Sequence, residues 1–323
     1  MHQDPIKTRN SKRIVSANLD IADAGGEQVH VTILADSIHP KTNKRITTFE
    51  LEYPRFILSE LNTHAMLCKN SMSSRAVPVK TMIEQVYHNP AMPVRFGQNK
   101  AGMQDCGTEH DNLIFEDYMA YTPRRYWVKC AREVSEMAQV YADHGYHKQI
   151  ANRLIEPFQR MKTVLTATEF ANFFHLRNHV DADPTFGELA AAMQGAMIQS
   201  DPHTLEFGQW HAPYYKNGVY DPSDEVSLSD ALAISVSCCA QVSYRRNDTS
   251  LEKAQGIFKK LLSEARMHAS PFQHQATPID YDSIQDTWPL GVSHQDRFGR
   301  LWSAQFQDFI MYRKTFENES IQG

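Results

Sequence analysis

The sequence has few of the features that mark secreted, membrane-spanning or zinc-binding proteins. Its 323 residues include only five cysteines, and these form no Cys-x-x-Cys pair and no zinc-finger spacing. No run approaches the ~20 apolar residues needed to span a bilayer, and the first residues lack the apolar segment of a signal peptide. We therefore expect a cytoplasmic protein with reduced cysteines and no membrane partner.

Positive charge and the common site motifs are also scarce. The net charge is −5 and no long Lys/Arg run is present, which argues against a general nucleic-acid binder. The sequence contains no GxGxxG after a strand, no Walker loop, no HExxH and no GxSxG. We expect no metal site, and any anionic ligand must be met by a few placed cations.

The hydrophobic pattern mixes strands and helices. With 41% hydrophobic residues, the chain is long enough to bury a full-sized core. Helices are predicted near 124–144, near 161–176 and after Thr249, where a Thr-x-x-Glu order suits a capping box. Period-2 alternation predicts two strands, formed by Val29, Val31 and Ile33 and by Phe49, Leu51 and Tyr53. Without regular βαβ alternation, the expected class is α/β of the α+β kind, with a mixed or antiparallel sheet and helical layers.

Composition suggests three regions. Residues 1–26 are predicted to form an N-terminal arm that ends in two glycines. The segment 200–228 is dense in Pro, Gly, Asn and Asp, which is typical of a long connection. We therefore expect a region 27–215 and a C-terminal region 216–323.

One polar stretch, residues 62–75, crowds hydroxyls, amides and cations after a strand. Ser and Asn side chains with backbone N–H groups and a final arginine make a natural phosphate cradle. The alternative is a polar turn that leads into a helix at Pro78.

Two arginines farther along, Arg153 and Arg177, occupy helical segments that otherwise look buried. A buried arginine is unfavourable unless it is paired. Either these two residues close internal salt bridges or they contact a ligand phosphate.

His64, Asn70, Ser73 and Arg75 fall in register on a run written R-H-R-x-x-S-x-N-x-x-S-x-R. That run is the hallmark of the flavin-dependent thymidylate synthases, which the chain resembles in the longer form that many phages carry. Other blocks that resemble the family are HKQIANRLIEPF (147–158), TATEFANFFHLR (166–177), CCAQVSY (238–244) and HASPFQH (268–274).

The resemblance implies a homotetramer in which FAD and dUMP bind where subunits meet. Methylenetetrahydrofolate supplies a carbon to C5 of the pyrimidine, and flavin reduced by NADPH supplies the hydride that completes the methyl group. The implied activity is thus the methylation of dUMP at C5 to give dTMP, without an attacking cysteine. For a phage protein the location would be the host cytoplasm.

The resemblance also implies site residues. Those expected to bind the cofactor are His64, Asn70, Arg177, Ser243 and His274. Those expected to bind the nucleotide are Ser73, Ser74, Arg75 and Arg153.

Several positions depart from the family pattern. Ala65 replaces the second motif arginine, Cys68 replaces a serine, Ser71 stands where many members have glutamate, and Gly187 stands where an arginine clamps the nucleotide. Other cations, among them Lys69, Arg160 and His179, are candidates to compensate. The alternatives are an enzyme that acts on another pyrimidine nucleotide or makes a hydroxymethyl product, and a non-catalytic homologue that binds flavin or nucleotide.

Overall fold

The computed structural model describes residues 27–105, 107–116, 118–243, 247–263 and 267–320, so the predicted arm 1–26 lies outside the described residues. The strands are β1 (His30–Ile38), β2 (Arg45–Pro54), β3 (Cys68–Ser71), β4 (Ile114–Glu116), β5 (Met119–Tyr121), β6 (Arg160–Ala167), β7 (His203–Thr204), β8 (Trp210–His211), β9 (Val219–Tyr220), β10 (Ala276–Pro278), β11 (His294–Gln295), β12 (Leu301–Ser303), β13 (Phe306–Gln307) and β14 (Phe309–Met311). The helices are α1 (Leu58–Asn62), α2 (Val79–His88), α3 (Pro123–Asp143), α4 (Lys148–Leu154), α5 (Ala171–Arg177), α6 (Pro184–Gln199), α7 (Leu228–Ala240) and α8 (Leu251–Ser263).

A five-stranded sheet forms the centre of the fold, in the order β3-β6-β2-β1-β7. Its neighbouring strands are antiparallel except for β1 and β7, which are parallel. Smaller sheets of order β14-β10-β8-β9 and β11-β12-β13 come from the second half of the chain. The predicted α/β class with a mixed, largely antiparallel sheet is confirmed.

Both faces of the five-stranded sheet are covered. On one face, Phe49 and Leu51 of β2 and Leu165 of β6 pack with Phe186 and Leu189 of α6. These side chains are fully buried, so α6 and the sheet together form the largest apolar core of the chain.

The opposite face of the sheet has a polar centre and packs against α7. Thr48 and Thr166 lie opposite each other on β2 and β6, with their hydroxyls 2.7 Å apart. His211 Nε2 lies 2.7 Å from the Thr48 hydroxyl, and His274 Nδ1 lies 2.8 Å from the Thr166 hydroxyl. Both imidazoles are fully buried, and these hydrogen bonds partly satisfy their polar atoms.

The clearest periodic patterns in the sequence correspond to real elements. The two alternating runs form β1 and β2, and the helix expected near 124–144 is α3. Helix α8 begins at Leu251, as the capping pattern predicts. These predictions are confirmed.

The helix predicted near 161–176 is wrong. Residues Arg160–Ala167 form β6, and only Ala171–Arg177 are helical in this stretch. Strand β6 is central and buried on both faces, so Val164 and Leu165 are adjacent apolar residues. The period-2 signal is lost in such a strand, and its sequence cannot be told from a buried helix by pattern alone.

The segment 200–228 contains β7, β8 and β9. Because β7 pairs with β1 and β8 pairs with β10, the chain crosses here from the large sheet to the four-stranded sheet. A division of the chain at residues 215 and 216 remains a prediction. Within the described ranges, no helix is long and apolar enough to cross a bilayer.

Candidate functional site

A surface depression of about 490 Å³ opens beside the turn that follows β3. Its lining residues are Arg55, Leu58, Ser71, Met72, Ser73, Ser74, Arg75, Arg153, Glu156 and Met161. We call it the arginine-lined depression. All four residues predicted to bind a nucleotide lie on it. Three come from the turn after β3, and Arg153 comes from α4.

Hydrogen bonds fix the turn that places these residues. The Ser73 backbone N–H donates to Ser243 Oγ at 3.0 Å. The Asn152 side-chain amide of α4 donates to the Ser74 carbonyl at 2.7 Å and to the Val77 carbonyl at 3.2 Å. Asn152 is fully buried, so the turn is held against the helix that carries Arg153.

The polar turn also leads directly into a helix, since α2 begins at Val79. The interpretation of residues 62–75 as a polar turn that leads into a helix is therefore confirmed, and the phosphate cradle stays a prediction. The stretch additionally contains β3, which the sequence pattern did not reveal. A short polar strand of four residues lacks the apolar alternation by which strands are recognised.

The arginine-lined depression is rich in positive charge. Arg75 and Arg153 are exposed, and among the described residues neither guanidinium has an ion-pair or hydrogen-bond partner. The one carboxylate on the lining is Glu156, whose Oε1 accepts from Arg55 Nη2 at 2.9 Å and from Ser74 Oγ at 3.3 Å. The lining thus carries three guanidinium groups and only one carboxylate, which suits an anionic ligand.

The expectation that Arg153 is buried is wrong. Its helix α4 is short, and only Ala151 and Asn152 of that helix are buried. Arg153 follows them on the solvent side of the turn. Of the two interpretations of Arg153, an internal salt bridge is not found in the described part of the chain.

Arg177 has a different environment. Its Nε donates to His64 Nε2 at 2.9 Å, its Nη1 lies 3.9 Å from a Glu60 carboxylate oxygen, and its guanidinium lies 5.0 Å from the centre of the Phe186 ring. Arg177 therefore makes internal contacts. Partial burial, followed by the charges of Arg177 and Lys69, lowers the pKa of His64, so its imidazole is neutral and accepts at Nε2.

The remaining predicted cofactor residues lie on the other side of the sheet or at the turn. Asn70 Nδ2 donates to the Cys239 carbonyl at 2.7 Å, and Ser270 Oγ donates to Asn70 Oδ1 at 3.2 Å. His274 is fully buried, and burial lowers its pKa to about 3. Its Nε2 is buried without a hydrogen-bond partner among the described residues.

Ser243 lines a second, smaller groove of about 250 Å³ that adjoins the arginine-lined depression at Met72. None of the other four predicted cofactor residues lines this groove. Among the described residues, neither this groove nor the arginine-lined depression is lined by all five.

The structure also shows the exposure and the neighbours of positions that depart from the family pattern. Ala65 is exposed, whereas Cys68 is buried and burial raises the pKa of its thiol to about 12. A Cβ atom at Gly187 would lie 3.3 Å from the Arg177 carbonyl oxygen, where α6 passes α5. Gly187 does not line the arginine-lined depression.

The three cations considered as replacements are engaged elsewhere. Lys69 Nζ donates to the Leu61 and His64 carbonyls, Arg160 donates to Gln28, and His179 lies 3.5 Å from an Asp181 carboxylate oxygen. None of the three lines the arginine-lined depression.

A further cation on this lining, beside Arg75 and Arg153, is Arg55, which no sequence pattern indicated. The available signal was a charged residue directly after the apolar alternating strand that ends at Pro54. Within the described ranges, no cluster of three or more His, Cys, Asp or Glu residues could hold a metal ion.

No family model and no curated protein matches the chain. The matches found are among solved structures. The chain is similar to thymidylate synthase X (ThyX) from Helicobacter pylori with FAD and dUMP, at 17% identity over 47% of this chain and 67% of that chain, with a TM-score of 0.32. It is also similar to the UMP/dUMP methylase PolB from Streptomyces cacaoi bound with 5-Br dUMP, at 14% identity over 54% of this chain and 91% of that chain, with a TM-score of 0.39. Both neighbours are enzymes, and the first belongs to the family that the sequence motifs resemble.

Proposed function

We propose that this chain is an enzyme that transfers a one-carbon unit to C5 of a pyrimidine nucleoside monophosphate in a flavin-dependent reaction. Methylation of dUMP to dTMP is the leading form of the proposal. The observation that supports it most is the convergence of Ser73, Ser74, Arg75 and Arg153 on one depression. Ser73 and Arg75 fall on the family motif, and Asn152 of α4 joins the helix that carries Arg153 to the same turn.

The arginine-lined depression has the chemistry of a phosphate site. Two guanidinium groups without partners in the described chain, Arg75 and Arg153, can each donate paired hydrogen bonds to phosphate oxygens. The hydroxyls of Ser71 and Ser73 lie on the same lining and offer further donors. Holding the phosphate fixes one end of the nucleotide, which restricts where the pyrimidine ring can lie.

FAD belongs to the proposal as the cofactor, with NADPH and methylenetetrahydrofolate as co-substrates, because the motif resemblance implies them. Neither described depression is lined by all the residues expected at the flavin, among them His64 and His274. We infer that other copies of the chain complete the flavin surface. A homotetramer is the form that the resemblance implies.

The residues that line the arginine-lined depression do not determine which pyrimidine base the nucleotide carries. It includes no Asn or Gln side chain that would read a uracil edge, and Ser71 occupies the position of the family's glutamate. A site of this composition is compatible with dUMP, UMP or dCMP. We therefore keep a different pyrimidine nucleotide, or a hydroxymethyl product, as the second candidate.

Mass spectrometry of reaction products tests the proposal. The purified chain is incubated with FAD, NADPH, methylenetetrahydrofolate and each of the three nucleotides in turn. We expect one nucleotide to gain the mass of a methyl group, whereas a hydroxymethyl gain would select the second candidate. If nucleotides and FAD bind but no nucleotide changes mass, one-carbon transfer is wrong and the non-catalytic homologue is the better description.

A further inference from the structure

A third arginine on the arginine-lined depression lies outside the sequence motif. Arg55 directly follows β2, and its backbone N–H donates to the Gln159 carbonyl at 2.9 Å, which fixes the start of the side chain. About one fifth of the side chain is exposed, at 19%. Nη2 donates to Glu156 Oε1 at 2.9 Å, whereas Nη1 is buried and has no acceptor among the described residues.

A buried donor without an acceptor keeps the penalty of losing its water. A ligand oxygen that reached Nη1 would remove that penalty, because guanidinium donors bind oxyanions with strong, directed hydrogen bonds. Arg55 lines the same depression as Arg75 and Arg153. The residue with the unsatisfied donor thus lies beside two other guanidinium groups that have no partner in the described chain.

Glu156 determines how Arg55 is held. Its Oε1 accepts from both Arg55 Nη2 and Ser74 Oγ, so one carboxylate oxygen joins the end of β2 to the turn after β3. Glu156 follows Arg153 by three residues, and the two lie on one wall of the depression. Removing this carboxylate's charge would leave the three guanidinium groups without an internal counter-ion.

We propose that Arg55 is a third phosphate-binding residue of this site and that Glu156 positions it, an inference that rests on the proposed function. A phosphate monoester has a charge of about −1.5 to −2 at neutral pH. Three guanidinium groups, one carboxylate and such a phosphate leave the site close to neutral. A phosphodiester has one negative charge and would leave excess positive charge, so the arrangement favours a free nucleoside monophosphate over a nucleic-acid strand.

Calorimetry with two ligands isolates the contribution of Arg55. Affinity for dUMP is measured directly, and affinity for deoxyuridine is measured by competition against dUMP, for the parent, Arg55→Gln and Arg125→Gln. Arg125 is the matched control, since it is an exposed arginine without a side-chain partner in the described chain and lies outside the depression. We expect Arg55→Gln to weaken dUMP binding by about 10- to 100-fold and to leave deoxyuridine binding within about twofold. Equal effects on both ligands, or no effect on dUMP, would overturn the role of Arg55.

A second variant keeps the test decisive if Arg55→Gln folds poorly. Glu156→Gln retains a side-chain oxygen that can accept from Arg55 and Ser74 but removes the negative charge. We expect it to tighten dUMP binding by about 2- to 10-fold at low salt, without a change for deoxyuridine, because repulsion of the phosphate is lost. Weaker dUMP binding by a folded Glu156→Gln variant would contradict the proposal.

The Arg75→Ala and Arg153→Ala variants distinguish a failure of the role proposed for Arg55 from a failure of the phosphate site itself. If they weaken dUMP binding while Arg55→Gln and Glu156→Gln do not alter it, only the role of Arg55 fails. If none of these variants changes dUMP binding, the phosphate site itself fails, and with it the proposed function.

Discussion

Arg75 and Arg153 show why single residues decide the character of this site. Both are exposed on the arginine-lined depression and have no partner within the described residues, whereas Lys69 and Arg160 are partly buried and bound to backbone or side-chain oxygens. Burial lowers the pKa of Lys69, and its amine donates to carbonyl groups at the end of α1. A cation whose donors are already used in such internal contacts must give them up to bind a ligand.

Gly187 provides a prediction at the residue scale. An arginine at this position would place Cβ 3.3 Å from the Arg177 carbonyl oxygen, so Gly187→Arg should strain the contact between α5 and α6. Gly195→Arg is a matched control on the same helix, because a Cβ there meets nothing within 4 Å. We expect Gly195→Arg to be neutral or to stabilise by up to about 1 kcal/mol, and Gly187→Arg to be about 1–3 kcal/mol less stable than that control.

Urea unfolding measures both glycine variants, and calorimetry measures their affinity for dUMP. We expect no gain in dUMP affinity from Gly187→Arg, because residue 187 does not line the arginine-lined depression. Tighter dUMP binding by Gly187→Arg alone would show that the nucleotide extends to α6.

The sequence singled out four residues of the arginine-lined depression, whereas neither described depression is lined by all the residues expected at the flavin. Ser73, Ser74 and Arg75 are close in sequence, so a local motif identifies them, and Arg153 joins them through the contact of Asn152 with the Ser74 carbonyl. Arg55 was not singled out because its relation to Glu156 arises only when the fold brings together the 3₁₀ turns that follow β2 and α4. A motif records residue identity but not which face of a strand or helix the side chain occupies.

At the scale of elements, α4 holds the turn after β3 through one buried amide. Asn152→Ala removes two hydrogen bonds and leaves the Ser74 and Val77 carbonyls without this donor. We expect a loss of about 1–3 kcal/mol in unfolding free energy and weaker dUMP binding, because Arg75 is no longer held beside Arg153.

Asn178→Ala is the control for that prediction. Asn178 is exposed and its side chain makes one hydrogen bond, to Gln194. Denaturant unfolding should show less than about 0.5 kcal/mol of change for this variant. If Asn152→Ala loses stability but binds dUMP as the parent does, the turn does not position the phosphate site.

The polar centre beneath the large sheet predicts a pH dependence. Burial lowers the pKa of His211 and of His274 to about 3, from about 6.5 in an unfolded chain. The unfolded state then binds more protons than the folded state between these values, so the stability contribution is fully present above pH ~6.5 and is lost as pH falls toward ~3. Each histidine contributes a slope of up to about 1.4 kcal/mol per pH unit.

Unfolding free energies measured between pH 7 and pH 5 test this expectation. The parent should lose stability steadily over that range, and His274→Leu should show a smaller slope. His175→Gln, which changes an exposed histidine on α5, should keep the parent slope. A parent whose stability is constant from pH 7 to pH 5 would contradict neutral, buried imidazoles.

The success of sequence patterns also differed between elements. Strands β1 and β2 were recognised because their apolar residues alternate, and α3 because its buried positions, such as Val128, Ala131 and Ala138, follow helical spacing. Strand β6 is buried on both faces, and α7 is apolar on most of its surface, with eight buried residues among thirteen. In such elements periodicity is weak, so their type is decided by tertiary packing.

At the scale of the whole molecule, the central sheet separates the residues expected at the flavin. His64 and Arg177 contact Phe186 on the α6 side, whereas Asn70 contacts the carbonyl of Cys239 in α7. One chain therefore presents these groups toward different surfaces. Exposed apolar side chains on α3 and near α4, including Met137, Val140, Tyr146 and Ile150, offer a surface for association with further copies.

Light scattering combined with visible absorption tests this view of assembly. We expect a homotetramer at micromolar concentration and a flavin absorption band that is lost when the protein dissociates on dilution. A stable single-chain particle that retains bound flavin would contradict a flavin surface shared between copies.

The central claim is that the arginine-lined depression binds the phosphate of a pyrimidine nucleotide, and calorimetric titration with dUMP tests it most directly. Arg75→Ala and Arg153→Ala should each weaken binding by about 1.5–3 kcal/mol, or roughly 10- to 150-fold. Their thermal stability should stay close to that of the parent, because neither side chain has a partner in the described chain. Arg125→Ala should bind dUMP as the parent does. Equal dUMP affinity in the parent, Arg75→Ala and Arg153→Ala would contradict the account.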